Sequence, residues 1–177
     1  KNGDFREYSI RAGSFKNGSE LEDITLLASA SLFSKLIHWK SLKARQSVGI
    51  SYTTILKQNI NLPLRIDNEF GLEKFQADSL LGTQRLNLSL ETVVFTKPTL
   101  LGFHFAPFIF TNMAMMSRKN ETLLKQKPYF ALGGGIRTRN ENLIFGTIEL
   151  RMFYFPRVTE DLSHFRITLS SNLRVKY

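Results

Sequence analysis

A strict two-residue rhythm at the end of the chain constrains it most. From Phe165 to Tyr177 the odd positions carry Phe165, Ile167, Leu169, Ser171, Leu173, Val175 and Tyr177. The even positions carry Arg166, Thr168, Ser170, Asn172, Arg174 and Lys176. A helix of 3.6 residues per turn would spread these charges over every face, so the run predicts a strand. It is well beyond the ~5–6 residues usual in globular sheets. At ~3.3 Å per residue it would reach ~43 Å, enough to cross a ~25 Å apolar band at the usual tilt.

The same rhythm recurs upstream. In Leu143–Pro156, Ile144, Ile148, Leu150, Met152 and Tyr154 share a face with Gly146, and Thr147, Glu149 and Arg151 share the other. Leu86, Leu88 and Leu90 alternate with Arg85, Asn87, Ser89 and Glu91, and Val48, Ile50, Tyr52 and Leu56 with Ser47, Gly49, Ser51 and Thr53. Phe103, Phe105 and Ile109 alternate with small or aromatic residues, while Phe130, Leu132 and Ile136 oppose Ala131, Gly133, Gly135, Arg137 and Arg139. Weaker alternation runs through Phe5–Phe15, Ile24–His38 and Leu62–Asp67. Turn signals separate the runs: Lys16-Asn17-Gly18-Ser19, Thr96-Lys97-Pro98, Arg118-Lys119-Asn120-Glu121 and Arg139-Asn140-Glu141-Asn142. This spacing predicts about nine strands at ~20-residue intervals in an all-β antiparallel meander. No ten-residue stretch reads as an amphipathic helix.

Composition narrows the chemistry. The 177 residues suit one domain or a piece of a larger one, and 42% hydrophobic content excludes wholesale disorder. Having no cysteine removes disulfides, a thiolate-held zinc and a thiol nucleophile together. His38, His104 and His164 lie too far apart in sequence for a metal motif. No metal ligand, catalytic residue or cofactor site is expected, and the chain is not expected to be an enzyme. Gly133-Gly134-Gly135 lacks the Lys-Ser/Thr and helix of a phosphate loop, so a close packing approach is expected there. No Gly-x-Ser-x-Gly elbow is present. The net charge of +9 invites a nucleic-acid reading, but the basic residues lie along polar strand faces and loops, without interleaved aromatics. They suit a cationic lumen and anionic lipid headgroups instead, with no nucleic-acid partner. The chain opens on Lys1 with no leader, so a mature or truncated product is expected.

Alternating strands fit a soluble barrel with an apolar interior or a membrane barrel with a polar one. Strand length favours the membrane. So does a polar face of Arg, Thr, Ser, Asn, Glu and Gly rather than a Lys/Glu carpet. Aromatics near strand ends (Tyr154, Phe155, Phe165 and Tyr177) resemble interfacial girdles. The expectation is an antiparallel transmembrane β-barrel, with Leu169, Leu173 and Val175 toward lipid. Soluble lipid-binding and small closed adhesive or structural barrels are the alternatives.

Two motifs carry a family resemblance. The ending Asn172–Tyr177, with Leu173, Val175 and terminal Tyr177, resembles the C-terminal signal of bacterial outer-membrane barrels. Residues 68–75 and 81–91 resemble the BamA/TamA-type outer-membrane assembly family, in which a Gly-Leu-Arg-Gly-Phe/Tyr loop precedes a glycine-led strand bearing a Glu. Gly71, Leu72, Phe75 and Glu91 occupy matching places, while Glu73 stands for the family's Arg and Lys74 for its second Gly. Ala131–Arg137 is similar to a late glycine-rich strand, and Ile148–Pro156 to a penultimate strand of Bacteroidota members.

The resemblance covers about residues 60–177. It implies that residues 1–177 are one outer-membrane barrel domain, the C-terminal ~8–10 strands of a ~16-stranded barrel. It implies insertion or translocation of proteins, or lipid, in the bacterial outer membrane. The partners implied are outer-membrane lipid, lipopolysaccharide and client or companion outer-membrane proteins. The seam strand would be Phe165–Tyr177. Its loop would dip into the lumen, where Glu91, Arg137, Arg139, Glu149 and Arg151 are expected to face. With Glu73 in the arginine's place, two outcomes stay open: a charge-reversed lid docked on Arg137, Arg139 or Arg151, or a solvated loop tip at Glu73–Lys74.

Overall fold

A computed structural model describes residues 5–17, 20–39, 42–57, 63–66, 71–75, 80–118, 120–140, 145–158 and 163–173. In chain order the strands are β1 (Phe5–Asn17), β2 (Glu20–Phe33), β3 (Ile37–Trp39), β4 (Leu42–Lys57), β5 (Leu64–Arg65) and β6 (Leu81–Gly82). They continue as β7 (Gln84–Phe95), β8 (Thr99–Leu100), β9 (Phe103–Ser117), β10 (Tyr129–Asn140), β11 (Phe145–Tyr154) and β12 (Phe165–Leu173). Among the described residues a single 3-10 turn, Leu123–Lys125, interrupts them.

The long strands form one antiparallel sheet in the order β1-β2-β4-β7-β9-β10-β11-β12, so each pairs with its neighbour in the chain. β3 and β8 extend the adjacent turns, and β5 pairs with β6 apart from the main sheet. The protein is therefore all-β, an antiparallel meander that is barrel-like but not closed. Among the described residues, β1 and β12 each have one paired edge and one open edge.

Among the described residues the meander has eight long strands, within the expected ~8–10. Within the Leu62–Asp67 run, the described residues 63–66 are not a wall strand. Only Leu64 and Arg65 pair, with Leu81 and Gly82, and the following Ile66 is fully buried. Leu62 and Asp67 lie outside the described residues. The Ile24–His38 run breaks after Phe33, where Ser34 turns back on Gln46: its N–H donates to the Gln46 carbonyl at 2.8 Å, and its Oγ accepts from the Gln46 N–H at 3.0 Å.

The two faces of the sheet are inverted relative to a water-soluble fold. Ile10, Ile167 and Leu169 are 80%, 68% and 73% exposed, and Leu150 and Met152 on β11 are also bare. On the opposite face Arg85 and Phe153 are each 1% exposed, with Ser51 and Thr53 buried as well. The core lies on this inner face: Ile66, Leu72, Phe75, Phe108, Phe110, Ala114, Tyr129, Ala131, Phe153 and Phe155. The placement of Phe155 corrects one expectation. It is no girdle aromatic, because period two puts it with Phe153 on the inner face, where the two rings stack 6.0 Å apart. Tyr154 and Phe165 do stand outward, with ring centroids 4.8 Å apart.

Candidate functional site

Register places the inner-face groups in rows across the strands. Glu91 on β7 pairs with Phe110 on β9, Phe110 with Gly133 on β10, Gly133 with Phe153 on β11, and Phe153 with Arg166 on β12. The adjacent row runs through Val93, Phe108, Gly135, Arg151 and Thr168. Gly133 and Gly135 are the gaps into which the flanking rings lie. A β-carbon on Gly133 would stand 2.5 Å from the Phe110 ring, and one on Gly135 2.8 Å from the Phe108 ring. An aromatic covering a cross-strand glycine restores packing that the glycine lacks. The glycine triplet is therefore a packing device, in keeping with the close approach expected from the sequence.

Above this aromatic floor sits a network of charges. Arg137 and Glu149 are direct cross-strand partners, and the Arg137 Nε donates to Glu149 Oε2. The two Nη groups of Arg137 reach past β9 to Glu91, donating to Oε1 at 2.7 Å and Oε2 at 2.8 Å. Such a two-pronged pair fixes geometry as well as charge. The Arg137 guanidinium carbon lies 4.2 Å from the Phe108 ring centroid. Arg151 Nε stands 2.8 Å from Glu149 Oε1, and its guanidinium carbon lies 5.1 Å above Phe110. Two carboxylates and two guanidiniums are thus interlocked on aromatic faces, where a cation adds ~0.5–1 kcal/mol or more as it loses water.

The segment 71–75 lies across this network. Arg151 Nη1 donates to Glu73 Oε2, and Arg166 Nη1 donates to the Lys74 carbonyl at 2.8 Å. Phe75 packs edge-on to Phe155 at 5.2 Å and against Tyr129 at 5.6 Å. Leu72 is fully buried and its N–H donates to the Ile66 carbonyl at 2.7 Å. That approach needs glycine at position 71, where a β-carbon would lie 1.9 Å from the Ile66 oxygen. Beneath it, buried Arg85 donates to the Arg65 carbonyl and, at 3.2 Å, to Thr53 Oγ1. Lys74 adopts a left-handed backbone with φ of 61°, a conformation glycine takes without strain.

The structure thus brings Gly71, Leu72, Glu73, Lys74 and Phe75 together with Glu91, Arg137, Glu149 and Arg151. Of the two outcomes left open for Glu73, the carboxylate is docked on Arg151 while remaining about half exposed. Arg139 lies opposite His104 and lines, with Arg45, Phe95 and the network residues Glu91 and Arg137, a cavity of about 590 Å³ on the inner face. Leu173 ends β12 opposite Phe145, while Val175 and Tyr177 lie outside the described residues. Sequence reading missed Phe108, Phe110, Phe153 and Arg166. A usable signal existed for the first two, since a glycine-rich strand requires bulky neighbours to cover it.

Comparison of the chain with protein-family models, with curated proteins and with solved structures returned no match. Among the described residues no group of His, Asp and Glu has the geometry to hold a metal ion. The arrangement is a set of ion pairs and ring contacts whose chemical competence is to hold a loop against a polar wall.

Proposed function

We propose that this protein is wall of an outer-membrane β-barrel that assists insertion or translocation of proteins at the bacterial outer membrane, in the manner of the BamA/TamA assembly family it resembles. The observation that carries the reading is the 71–75 segment laid across the polar inner face of an inverted, open sheet. An eight-stranded barrel has an interior that side chains or one small ligand fill. A loop backbone on the inner face calls for a wider barrel, to which these eight strands contribute part of the wall. The bare apolar outer face suits lipid. The unpaired edge of β12 suits addition of a client strand through main-chain hydrogen bonds. Lys74 keeps the backbone conformation that the family's glycine would supply, and Glu73 replaces its arginine with a charge-reversed latch. In the resembling family the loop arginine meets acidic strand residues; here the loop carboxylate meets Arg151.

The test is reconstitution in phospholipid vesicles, followed by addition of a urea-unfolded outer-membrane barrel as client. Faster acquisition of a heat-modifiable, protease-protected client than in empty vesicles is expected. A single cysteine at Ser170 on β12 should crosslink to client strands. Equal rates with no crosslink would remove the assembly role.

A further inference from the structure

At the end of the strands where the 71–75 segment docks, a second feature stands outside the charge network. A cavity of about 460 Å³ lies between the 118–127 segment, the start of β10 and the Leu80–Leu81 pair. Its volume falls within the ~300–1,000 Å³ range of small-molecule sites. Arg118, Lys125, Lys127 and Arg157 line it, against the single carboxylate of Glu121.

That carboxylate is committed elsewhere. Glu121 Oε2 accepts from the Arg118 backbone N–H at 3.1 Å and from Gln126 Nε2 at 3.2 Å, which closes the segment on itself. Among the described residues none of the four cations has an ion-pair partner. The structure positions two of them. Buried Leu123 anchors the 3-10 turn that presents Lys125. Arg157 lies over the Tyr129 ring at 4.2 Å and donates to the Lys127 carbonyl at 3.2 Å. Ser117 also lines the cavity, 2% exposed, and its Oγ has no hydrogen-bond partner among the described residues.

Four like charges held around one space repel one another, and an anion entering it relieves that repulsion. A monocarboxylate would leave most of the positive charge uncompensated, whereas phosphate groups carry the density and the oxygens that Arg forks and Lys points recognise. We propose that this cavity binds a phosphate-bearing anion with more than one negative charge, either a soluble diphosphate or the phosphomonoester headgroup of a lipid. The site is separate from the inner-face network and does not depend on the assembly role.

Inorganic pyrophosphate, titrated calorimetrically into the full chain in neutral detergent micelles, tests the proposal. Saturable binding is expected, weakened at least tenfold in a Lys125→Ser/Lys127→Ser variant. A Lys43→Ser/Lys97→Ser variant removes the same charge from exposed positions at the opposite end of the strands, and should stay within twofold of wild type. All four lysines are exposed, so both variants keep the fold. Doping the micelles with dioleoyl phosphatidic acid separates the two sources. Displacement of pyrophosphate assigns a lipid headgroup, and its absence assigns a soluble phosphate. No saturable binding, or equal weakening by both lysine pairs, overturns the site.

Discussion

Two faces of one strand carry opposite chemistry under opposite conditions. On β11, Glu149, Arg151 and Phe153 point to the inner face, where carboxylates and guanidiniums pair over packed rings. Leu150, Met152 and Tyr154, one residue away in each case, stand on the outer face and are left bare. A soluble sheet would reverse this, hiding the leucine and wetting the arginine. The contrast teaches that packing on the inner side is local and specific, built from register and ring contacts. The outer side is built only to be apolar and has no partner of its own.

Substitutions on each face therefore have different expected costs. The largest belongs to Phe153→Ala, which empties a site touched by Phe110 and Phe155 and should cost ~3–5 kcal/mol in urea unfolding from vesicles. Met152→Ala on the other face leaves no enclosed void, because that side chain is more than half exposed, and should cost less than half as much. Comparable losses at the two positions would break the contrast.

Next in size is a charge placed in the apolar surface. Leu169→Arg should cost ~2–4 kcal/mol in the same unfolding series if it sits near mid-bilayer. Ser170→Arg, whose cross-strand partner on the inner face is Glu149, should cost under ~1 kcal/mol. Equal tolerance would remove the lipid-facing assignment of β12. Within the network, Arg137→Met leaves Glu91 and Glu149 to share Arg151, 3.7 Å from Glu91 Oε2 and 2.8 Å from Glu149 Oε1, and removes the two-pronged pair on Glu91. A loss of ~1–3 kcal/mol is expected, reduced when Glu91→Gln and Glu149→Gln are introduced beside it. An undiminished loss in that background would show that packing on Phe108, not charge, is what Arg137 contributes.

The loop gives the smallest effects, and of opposite sign. Glu73→Gln should cost no more than ~1 kcal/mol, since the carboxylate is half exposed and its pairing is screened. Lys74→Gly should gain up to ~1 kcal/mol by relieving the left-handed backbone while keeping the carbonyl that Arg166 holds. Loss of stability on Lys74→Gly would mean that the lysine side chain, not the backbone, serves the loop.

Much of this was legible in the sequence because a strand's period is two and its faces follow by counting. Residues 165–177 announced β12, and the same arithmetic placed Glu91, Arg137, Glu149 and Arg151 on one side. The arginine that meets Glu73 was one of three candidates the same counting placed on that side. That Arg151 takes it follows from the reach of a loop tied down at Gly71 and Phe75, which no periodicity encodes. Leu62–Asp67 misled because a short alternating run looks alike in a wall and in a loop folded inward. Phe155 misled for a related reason: position near a strand end suggests an interface, but the side it faces is set by its distance from Phe153. The buried Arg85 and the cation-lined cavity depend on contacts between segments distant in sequence, and only the folded chain brings them together.

The central claim is that the outer face meets lipid and the inner face does not. The absence of cysteine makes single-site spin labelling clean. Nitroxides placed one at a time at residues 147–154 of β11, in vesicles, report collision rates with oxygen and with a water-soluble nickel chelate. The account expects a two-residue oscillation, with oxygen access high at Ile148, Leu150, Met152 and Tyr154 and low at Thr147, Glu149, Arg151 and Phe153. Absence of that oscillation, or one with its phase reversed, would contradict it.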